Sequence, residues 1–437
     1  MTNELGNGLS ELGTRLLQPA PVADLIARNA TVTGKKINLS VGDIAMETIP
    51  LELIHELSQT STREQLNYRT ISGEQDLKDA IRNLYLRNGF EGLDAAVMDK
   101  REIIVGPSVS YLDAAVALTL ANPGDYVIMS DPWYYVFSDT CKKLGLNILT
   151  IPEDDGGMRL ADLNGTLESI QDADKRLAFV YLLPTSNPKG TIMSNSRIEA
   201  IVQIMTEFSH SVDNRTRILY DNSYNLITPA NLLPQSAMLY DEEGLVIEVA
   251  TVSKALGPGL RTGWAFVSKG DKQFVTAMKN AGGQLYLNQS AQDQNVVAKA
   301  LMADDFESRL DDTVQFYSGK ARSVQEAIEQ NLVELHNVDY VGGQAGFYFY
   351  LTMPVETTLD SPFCKFLMKQ TGNQEIDNTS RPAVLYVPGQ FCVNPEGSLA
   401  KSGKRQLRIS FGYEPAERAV QGVEIMADAV SYAKSNR

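Results

Sequence analysis

Six short apolar runs, separated by longer amphipathic or polar stretches, recur between about Arg101 and Val267 of this chain. The runs are 103–105, 126–129, 178–183, 217–220, 245–252 and 264–267. Runs of this length are typical of strands buried on both faces, and the stretches between them can form covering helices. Because alternating strands and helices build a doubly wound structure, the sequence predicts an α/β fold with a mostly parallel sheet.

The pattern changes beyond about residue 300. Residues 304–331 form one long helical stretch broken only by Gly319, and strand-like runs follow at 346–351 and 407–411. A later helix carries apolar residues on one face by their three-to-four-residue spacing, namely Val420, Val423, Ala427 and Val430. This change predicts a second, smaller α+β domain.

Length and composition allow such an arrangement. With 437 residues, of which 43% are apolar, the chain can bury a large core and is long enough for two domains. We expect an N-terminal arm and small-domain segment over residues 1–47, a large domain over 48–300, and the small domain over 301–437.

The net charge argues against some partners of the protein, and the cysteine spacing argues against a metal site. The 39 basic and 54 acidic residues give a formal net charge of −15, which disfavours nucleic acid and anionic membranes. Cys141, Cys364 and Cys392 form no CxxC pair or Cys/His cluster, so no metal site is predicted. Residues 1–6 show no export signal and no long apolar run follows, so we expect a cytoplasmic protein without membrane contact.

In a doubly wound sheet, ligands bind at the carboxyl ends of the strands, so the residues after each run are informative. After the first run comes Gly-Pro-Ser-Val-Ser at 106–110, which leads into a predicted helix over 111–120. Small and hydroxylated residues at a helix start offer backbone N–H groups to a phosphate. Capping by Ser108 or Ser110 is the plainer interpretation, and this segment alone favours it.

Polar and aromatic residues follow the other strands in the same way. The second run leads into Asp-Pro-Trp-Tyr at 131–134, whose rings either stack on a flat ligand or belong to the core. The third run leads to Asn187 and the fourth to Asp221. The fifth leads to Lys254, with Arg261 beyond a glycine-rich bend. An acid and a lysine at neighbouring strand ends more often form a simple ion pair than a site.

Taken in this order, these segments resemble the class I and II aminotransferases of fold type I, the family that includes aspartate aminotransferase. The resemblance spans roughly residues 39–412. Its strongest elements are Ser-Lys at 253–254 with the downstream Gly-Leu-Arg-x-Gly-Trp, Asp-x-x-Tyr at 221–224, and Asn-Pro-x-Gly at 187–190. The resemblance implies a large domain that binds pyridoxal 5′-phosphate (PLP) and a smaller C-terminal domain.

By this resemblance, Lys254 holds PLP as a Schiff base and moves a proton during the reaction. A desolvated amine beside other cations has a lowered pKa, which suits both tasks. Asp221 is expected to pair with the pyridine nitrogen. Asn187 and Tyr224 are expected to donate to the 3′ oxygen of the ring, and Tyr134 to stack on the ring. Lys254, Asp221 and Tyr224 are thus the expected catalytic residues.

The phosphate is expected at the start of the predicted helix. The resemblance assigns it to Ser108, the backbone of Val109, Ser110, Thr251 and Arg261. The guanidinium of Arg261 offers a planar fork to two phosphate oxygens. Tyr68 resembles the tyrosine that reaches the phosphate of the neighbouring subunit, which implies a homodimer with shared active sites.

The substrate side is assigned to three residues. Arg408 resembles the family's small-domain arginine that grips the α-carboxylate, whereas the residues alone favour a solvated charge at a strand edge. Gly42 matches a glycine that lines the substrate side, and Asn187 is expected to face the substrate as well.

The sequence departs from the family pattern at several positions. Lys189 stands where threonine or serine is usual, Asn222 replaces the common glutamate after the aspartate, and Ser108 sits where glycine is frequent. Lys189 either favours an acidic substrate or pairs with a surface acid. These departures leave the cofactor assignment intact and the substrate open.

Three functions compete. The leading hypothesis is transfer of an amino group from an L-α-amino acid to a 2-oxo acid. The same lysine and aspartate also serve elimination, cyclisation, decarboxylation or oxidation of amino acids, because the pocket chooses which bond breaks. A non-catalytic regulatory or nucleotide-binding protein would want a basic helix-turn-helix region or a Gly-x-Gly-x-x-Gly after the first strand, and the sequence shows neither.

Overall fold

A computed structural model describes residues 9–20, 34–173 and 175–436. The strands are β1 Lys36–Asn38, β2 Arg101–Gly106, β3 Tyr126–Asp131, β4 Asn147–Asp154, β5 Gly157–Met158, β6 Leu177–Leu182, β7 Arg217–Asp221, β8 Val246–Thr251, β9 Gly263–Ser268, β10 Asp339–Gly342, β11 Tyr348–Thr352, β12 Ala383–Leu385, β13 Val387–Pro388 and β14 Gln406–Ser410. The predicted N-terminal arm lies partly outside the described residues, and residues 1–6, where no export signal is expected, lie wholly outside them.

Helices occupy most of the remaining chain. The α-helices are α1 Glu11–Leu16, α2 Leu51–Ser58, α3 Gln75–Leu86, α4 Ala95–Met98, α5 Val109–Leu120, α6 Tyr135–Lys143, α7 Leu160–Asp172, α8 Asn195–Ser211, α9 Lys272–Leu285, α10 Ala291–Leu301, α11 Phe306–Ile328, α12 Glu334–His336, α13 Pro362–Leu367, α14 Gln374–Asp377, α15 Gly389–Cys392, α16 Ala400–Gly403 and α17 Ala416–Ser435. Short 3-10 helices lie at Met46–Thr48, Glu64–Leu66, Arg87–Gly92, Asn225–Ile227, Ala237–Tyr240 and Pro258–Leu260, and a π-helical turn at Glu329–Val333 joins α11 to α12. Among the described residues, no helix has the length and apolar character that crossing a bilayer requires.

Eight strands form one sheet in the order β2-β9-β8-β7-β6-β3-β4-β5. The strands from β8 to β4 run parallel to their neighbours, whereas β9 is antiparallel to β2 and β8, and β5 is antiparallel to β4. The central strands β6, β7 and β8 are buried at every residue, as strands covered on both faces should be. The predicted α/β fold with a mostly parallel, doubly wound sheet is confirmed.

Alternation along the central strands divides the core of this sheet into two layers. In β6, Val180 and Leu182 belong to one apolar cluster, and Phe179 and Tyr181 belong to the other. Successive side chains of a strand point to opposite faces, so an unbroken apolar run serves both layers. The first cluster includes residues of α8 and the second includes residues of α5, which places helices on both faces.

In the large sheet, the apolar runs did not predict β4 or its short neighbour β5. The longer of the two is β4. It lies beside the two-residue edge strand β5, and most of its residues are only partly buried. Polar residues such as Asn147, Thr150 and Glu153 therefore interrupt its apolar character. Apolar runs indicate strands that are buried on both faces, so they do not indicate β4, which lies near the edge of the sheet.

A second sheet of four antiparallel strands, in the order β10-β11-β14-β13, carries the later part of the chain. The predicted strand-like runs at 346–351 and 407–411 are β11 and β14, whereas the short strands β10 and β13 were not predicted. The helix α11 passes Gly319 without interruption, because the carbonyl and amide groups at a glycine still take part in the helical ladder. The apolar face of α17 packs with these strands in one cluster.

The segment near residue 39 joins this second part of the molecule. Strand β1 pairs in parallel with β12, Leu39 donates its N–H to Leu385 at 2.9 Å, and Ser410 donates to the carbonyl of Leu39 at 2.7 Å. This pairing places the residues after Leu39 beside β14. The domain bounds at residues 47 and 300 stay predictions.

A buried ion pair ties the edge of the large sheet to its interior. Arg101 Nη2, at the start of β2, lies 3.0 Å from Asp241 Oδ2, and both side chains are almost fully buried. Asp241 also accepts the backbone N–H groups of Leu245 and Val246 at 2.8 and 2.9 Å, directly before and at the start of β8. The carboxylate thus connects two strands that are separated by β9.

We expect Arg101→Met to destabilise the protein by about 3–5 kcal/mol, because it leaves the Asp241 charge buried without its partner. The matched control is Arg82→Met, since Arg82 pairs with Asp99 at the surface and such pairs contribute about 0–1 kcal/mol. Urea denaturation followed by circular dichroism measures both variants. Equal losses of stability in the two variants would contradict this account of the sheet edge.

Candidate active site

One cleft, with a cavity volume of about 210 Å³, collects almost every residue that the sequence singled out. The predicted site residues that line it are Gly42, Ser108, Val109, Ser110, Tyr134, Asn187, Asp221, Tyr224, Thr251, Lys254, Arg261 and Arg408. Tyr68 is the exception, because its side chain is 79% exposed and does not line the cleft. The structure therefore assembles the predicted set, while the role of each member remains a prediction.

Three of these side chains follow three adjacent parallel strands. Lys254 comes after β8, Asp221 ends β7, and Asn187 comes after β6. Parallel strands that lie side by side end at the same edge of the sheet, so the three groups meet there. Strand order, rather than proximity in the sequence, brings the lysine, the acid and the amide together.

Lys254 lies in a desolvated environment. Its Nζ donates a hydrogen bond to the carbonyl oxygen of Gly42 at 2.9 Å and lies 5.8 Å from the ring centre of Phe347. Burial lowers the pKa of the Lys254 amine, and the guanidinium of Arg408 lowers it further, although the charge of Asp43 acts in the opposite direction. An amine in this environment loses its proton more easily than an exposed lysine.

Asp221 is buried and held by donors. Tyr181 donates its hydroxyl to Asp221 Oδ2 at 2.7 Å, and Ser223 donates both its backbone N–H, at 3.1 Å, and its hydroxyl to Oδ1. Burial raises the pKa of the Asp221 carboxyl, whereas these donors and the Lys254 charge lower it. The simple ion pair with Lys254 that the sequence left open is not formed, because the Lys254 amine bonds to Gly42 instead.

A second carboxyl, Asp113 on α5, lines the same cleft and was missed by the sequence analysis. Its side chain is 1% exposed, and within the described residues its Oδ1 atom has no hydrogen-bond partner. Burial, and then the charge of Asp221, raise the pKa of Asp113 well above its usual range. Because Asp221 has the donors and Asp113 lacks them, we assign the negative charge to Asp221.

The start of α5 forms a cradle of small residues. Ser108 caps the helix by accepting the N–H of Tyr111 at 3.1 Å, so the capping interpretation holds while Ser108 also lines the cleft. On the neighbouring strand, a Cβ atom at Gly263 would lie 3.1 Å from the backbone of Ser108 and Val109. Glycine at this position thus lets the helix start approach the sheet closely, and a helix start offers N–H groups to an anion.

Arg261 lies on the other side of this cradle in a left-handed backbone conformation, with φ 43° and ψ 45°. Such a conformation is unfavourable for arginine and persists only where neighbours impose it. Here Gln289 donates its side-chain amide to the carbonyl oxygen of Arg261. Thr251 closes the cradle, because its hydroxyl donates to the Thr262 carbonyl at 2.7 Å and accepts the N–H of Ser253 at 3.0 Å.

Arg408 is not a solvated charge at a strand edge, because its side chain is 1% exposed and β14 lies between β11 and β13. Its Nη1 donates to Asn187 Oδ1 at 2.9 Å, and its Nη2 donates to the carbonyl of Ser40. Within the described residues, the buried Nε atom has no partner. The guanidinium therefore presents a spare donor at the border between the two sheets.

Tyr348, on β11, is a further cleft residue that the sequence analysis missed. Its hydroxyl lies 2.7 Å from the hydroxyl of Tyr224 and accepts the side-chain amide of Asn187 at 3.3 Å. A Cβ atom at Gly42 would lie 2.1 Å from this hydroxyl, so position 42 has room for glycine alone. A single tyrosine in an apolar strand gives no sequence signal of such a role.

Of the three departures from the family pattern, Ser108 lines the cleft, whereas Lys189 and Asn222 lie outside it. Lys189 Nζ pairs with Glu153 at 3.2 Å, so of its two interpretations the ion pair holds, although Glu153 is buried rather than at the surface. Asn222 is buried and donates to Glu91 at 2.7 Å and to Glu248 at 3.2 Å. Neither residue lines the cleft, so neither bears directly on the substrate.

Solved structures share this fold. A multiple substrate aminotransferase from Thermococcus profundus superposes with a TM-score of 0.84 at 23% identity, and 98% of each chain is covered. A kynurenine aminotransferase from Pyrococcus horikoshii has a TM-score of 0.81 at 21% identity, with 95% of each chain covered. At this level of identity the likeness establishes the fold.

Sequence comparison agrees. The chain is 24% identical over 405 residues to aromatic-amino-acid aminotransferase 1 of Thermococcus litoralis, and the alignment covers 91% of this chain and 88% of that protein. The family described as aminotransferase class I and II matches residues 34–400, which is most of the chain. The chain therefore belongs to the class I and II aminotransferases.

Proposed function

We propose that Lys254 carries pyridoxal 5′-phosphate as a Schiff base and that the protein moves an amino group from an L-α-amino acid to a 2-oxo acid. Membership in the family establishes that the enzyme is an aminotransferase. The observation that carries the proposal is the placement of a desolvated Lys254 and a donor-held Asp221 in one cleft. Those two groups serve the two ends of the cofactor ring.

The residues of the cleft fit this cofactor. Small and hydroxylated residues at the start of α5, with Arg261 opposite, suit a phosphate. Buried Asp221 suits a protonated ring nitrogen, and the face of Tyr134 suits a flat ring. When bound, the cofactor supplies an electron sink for the bond that breaks at the substrate's α-carbon.

Each protein group then has a defined task. The amine of Lys254, with its lowered pKa, takes and returns the substrate proton. Asp221 keeps its negative charge because Tyr181 and Ser223 donate to it, and so it holds a proton on the ring nitrogen. Asn187 and Tyr224 donate towards the ring's 3′ oxygen. Arg408, with its spare Nε, binds the substrate carboxylate, and Gly42 keeps that side of the cleft open.

We also propose a homodimer in which Tyr68 completes the partner's phosphate site. The support is an exposed apolar patch around Tyr68 that consists of Leu66, Tyr68, Ile71, Leu285 and Leu287. Ile71 lies over Gly283, where a Cβ atom would be 3.1 Å away, so the two stretches of the patch adjoin. Exposed apolar patches rimmed by polar residues are typical of subunit contacts. A cytoplasmic location is proposed as well, since three buried cysteines in 437 residues are few for a protein of an oxidising compartment.

Replacement of Lys254 by alanine is expected to abolish the absorbance band of lysine-bound cofactor and to lower transaminase activity by at least about 10²–10⁴-fold, the usual contribution of positioned proton transfer. The band and the activity are measured by spectrophotometry with a panel of amino acids and one oxo acid. Lys279→Ala, which removes a lysine that pairs with Glu102 away from the cleft, is the control. An unchanged band in Lys254→Ala would refute the assignment.

The lowered pKa of Lys254 predicts the pH dependence of cofactor capture by the cofactor-free protein. Because burial lowers this pKa, the reactive neutral amine is present below the pH of 10.5 at which an ordinary lysine titrates. The rate of band appearance, followed by stopped-flow absorbance, should rise with pH and level off below that value. A rate that still rises through pH 10.5 would show that the pKa of Lys254 is not lowered.

Arg408→Gln is expected to raise the KM for amino acids by about 10–100-fold, because a charged hydrogen bond to the carboxylate contributes about 1.5–3 kcal/mol. The variant should still bind the cofactor, which the presence of its absorbance band will show. Arg405→Gln is the matched control, since Arg405 lies directly before the same strand and donates to the Met353 carbonyl outside the cleft. Equal KM values for the two variants would exclude Arg408 from substrate binding.

Leu287→Glu is expected to convert the dimer to a monomer, as measured by sedimentation velocity, and to weaken cofactor binding because Tyr68 of the other subunit is lost. Leu335→Glu is the control, since Leu335 is 65% exposed on α12, outside the patch. A wild-type protein that sediments as a monomer with full cofactor affinity would disprove the shared site.

A further inference from the structure

The hydroxyl of Tyr348 closes a hydrogen-bonded chain that begins at Arg408. Arg408 Nη1 can only donate, so the atom of Asn187 that lies 2.9 Å away must be its carbonyl oxygen. The amide nitrogen of Asn187 then faces Tyr348 and donates to its hydroxyl oxygen at 3.3 Å. The arginine thus determines which way the amide group points.

The donor in the hydrogen bond between Tyr348 and Tyr224 can be identified because each hydroxyl has only one proton. The hydroxyls of Tyr348 and Tyr224 are 2.7 Å apart, and only one proton lies between them. Tyr224 has a single proton, and in the proposed function it is directed to the ring oxygen of the cofactor. For Tyr224 to donate there, Tyr348 must donate to Tyr224.

We propose that Tyr348 is a positioning residue that makes Tyr224 a donor to the cofactor's ring oxygen. This inference rests on the proposed function and adds a residue to which that function assigns no role. Hydrogen bonds in a chain polarise one another, so a hydroxyl that accepts a bond from Tyr348 is a stronger donor itself. Asn187 has a second amide proton, which leaves it able to reach the ring oxygen while it holds Tyr348.

The surroundings hold this hydroxyl in place. The guanidinium of Arg408 lies 4.5 Å from the ring centre of Tyr348 and stacks against it. Any side chain at Gly42 would displace the hydroxyl. Tyr348 belongs to the second sheet, whereas Tyr224 follows β7 of the large sheet. The contact therefore lets the second sheet influence the electronic state of a group bound on the large one.

The effect is expected in the pH titration of the bound cofactor's absorbance. Donors to the ring oxygen draw negative charge away from it and weaken its hold on the proton of the linkage to Lys254. Tyr348→Phe weakens the Tyr224 donor, so the midpoint should rise by about 0.3–1 pH unit, the equivalent of one net hydrogen bond. Tyr224→Phe, which removes the donor itself, should raise it further.

Other charges near these groups stay unchanged in Tyr348→Phe. The titratable and charged neighbours of Tyr348 include Arg408, Tyr224, Tyr134, Tyr135 and Asp43. Those of Lys254 include Asp43, Arg408, Asp221, Arg261 and Tyr224. Because phenylalanine keeps the ring that stacks on Arg408, a shift in the midpoint reports the lost hydroxyl.

The deciding experiment compares the absorbance midpoints of four proteins: wild type, Tyr348→Phe, Tyr224→Phe and the double variant. If Tyr348 acts through Tyr224, Tyr348→Phe should have little further effect once Tyr224 is phenylalanine. Tyr350→Phe is the matched control on the same strand, since its hydroxyl bonds to Gln406 outside the cleft, and its midpoint should not move.

The results distinguish a failure of the role proposed for Tyr348 from a failure of the proposed function. An unchanged midpoint in Tyr348→Phe, or shifts that simply add in the double variant, would overturn the role of Tyr348 while the proposed function stands. If wild type shows no band that depends on Lys254, the proposed function itself has failed. Cofactor affinity of the cofactor-free proteins, measured by quenching of tryptophan fluorescence, checks that Tyr348→Phe still folds and binds.

Discussion

The order of the parallel strands β8, β7 and β6 is the constraint on which the site depends. Because these strands run in the same direction and lie side by side, the residues that follow them meet at one edge of the sheet. Lys254, Asp221 and Asn187 are far apart in the sequence and adjacent in the cleft for this reason. The start of α5 reaches the same edge through the close contact that Gly263 permits.

Burial then gives these groups their chemical character. The cleft holds two carboxyls, Asp113 and Asp221, and three cations, Lys254, Arg261 and Arg408. Both carboxyls and the Arg408 side chain are almost completely buried. In such surroundings a charge persists only where donors or counter-charges stabilise it. Burial raises the pKa of both carboxyls, but the donors to Asp221 counteract the rise there, so the negative charge is assigned to Asp221 rather than to Asp113. Burial lowers the pKa of the Lys254 amine. Hydrogen-bond partners thus assign the charge states of the site.

The second sheet contributes to the site through Arg408 and Tyr348. Both side chains bind Asn187, one through the amide oxygen and the other through the amide nitrogen. Asn187, which follows β6 of the large sheet, is therefore oriented by two strands of the second sheet, β11 and β14. In the proposed function, this amide side chain couples substrate binding at Arg408 to hydrogen bonding at the cofactor ring, so the reaction depends on the relative position of the two sheets.

The sequence alone determined the fold class, the central strands and the polar residues at their ends, because strands buried on both faces leave unbroken apolar runs and the motifs lie directly after them. It did not reveal β4, whose margin position mixes polar and apolar residues, or Asp113 and Tyr348, which sit within ordinary helix and strand patterns. The burial of Arg408, the pairing of Lys189 with Glu153 and the bonds of Tyr348 were decided by the tertiary structure. These contacts join segments that are distant in sequence. A local sequence pattern indicates which residues are apolar, but it does not indicate which residues they contact in the folded chain.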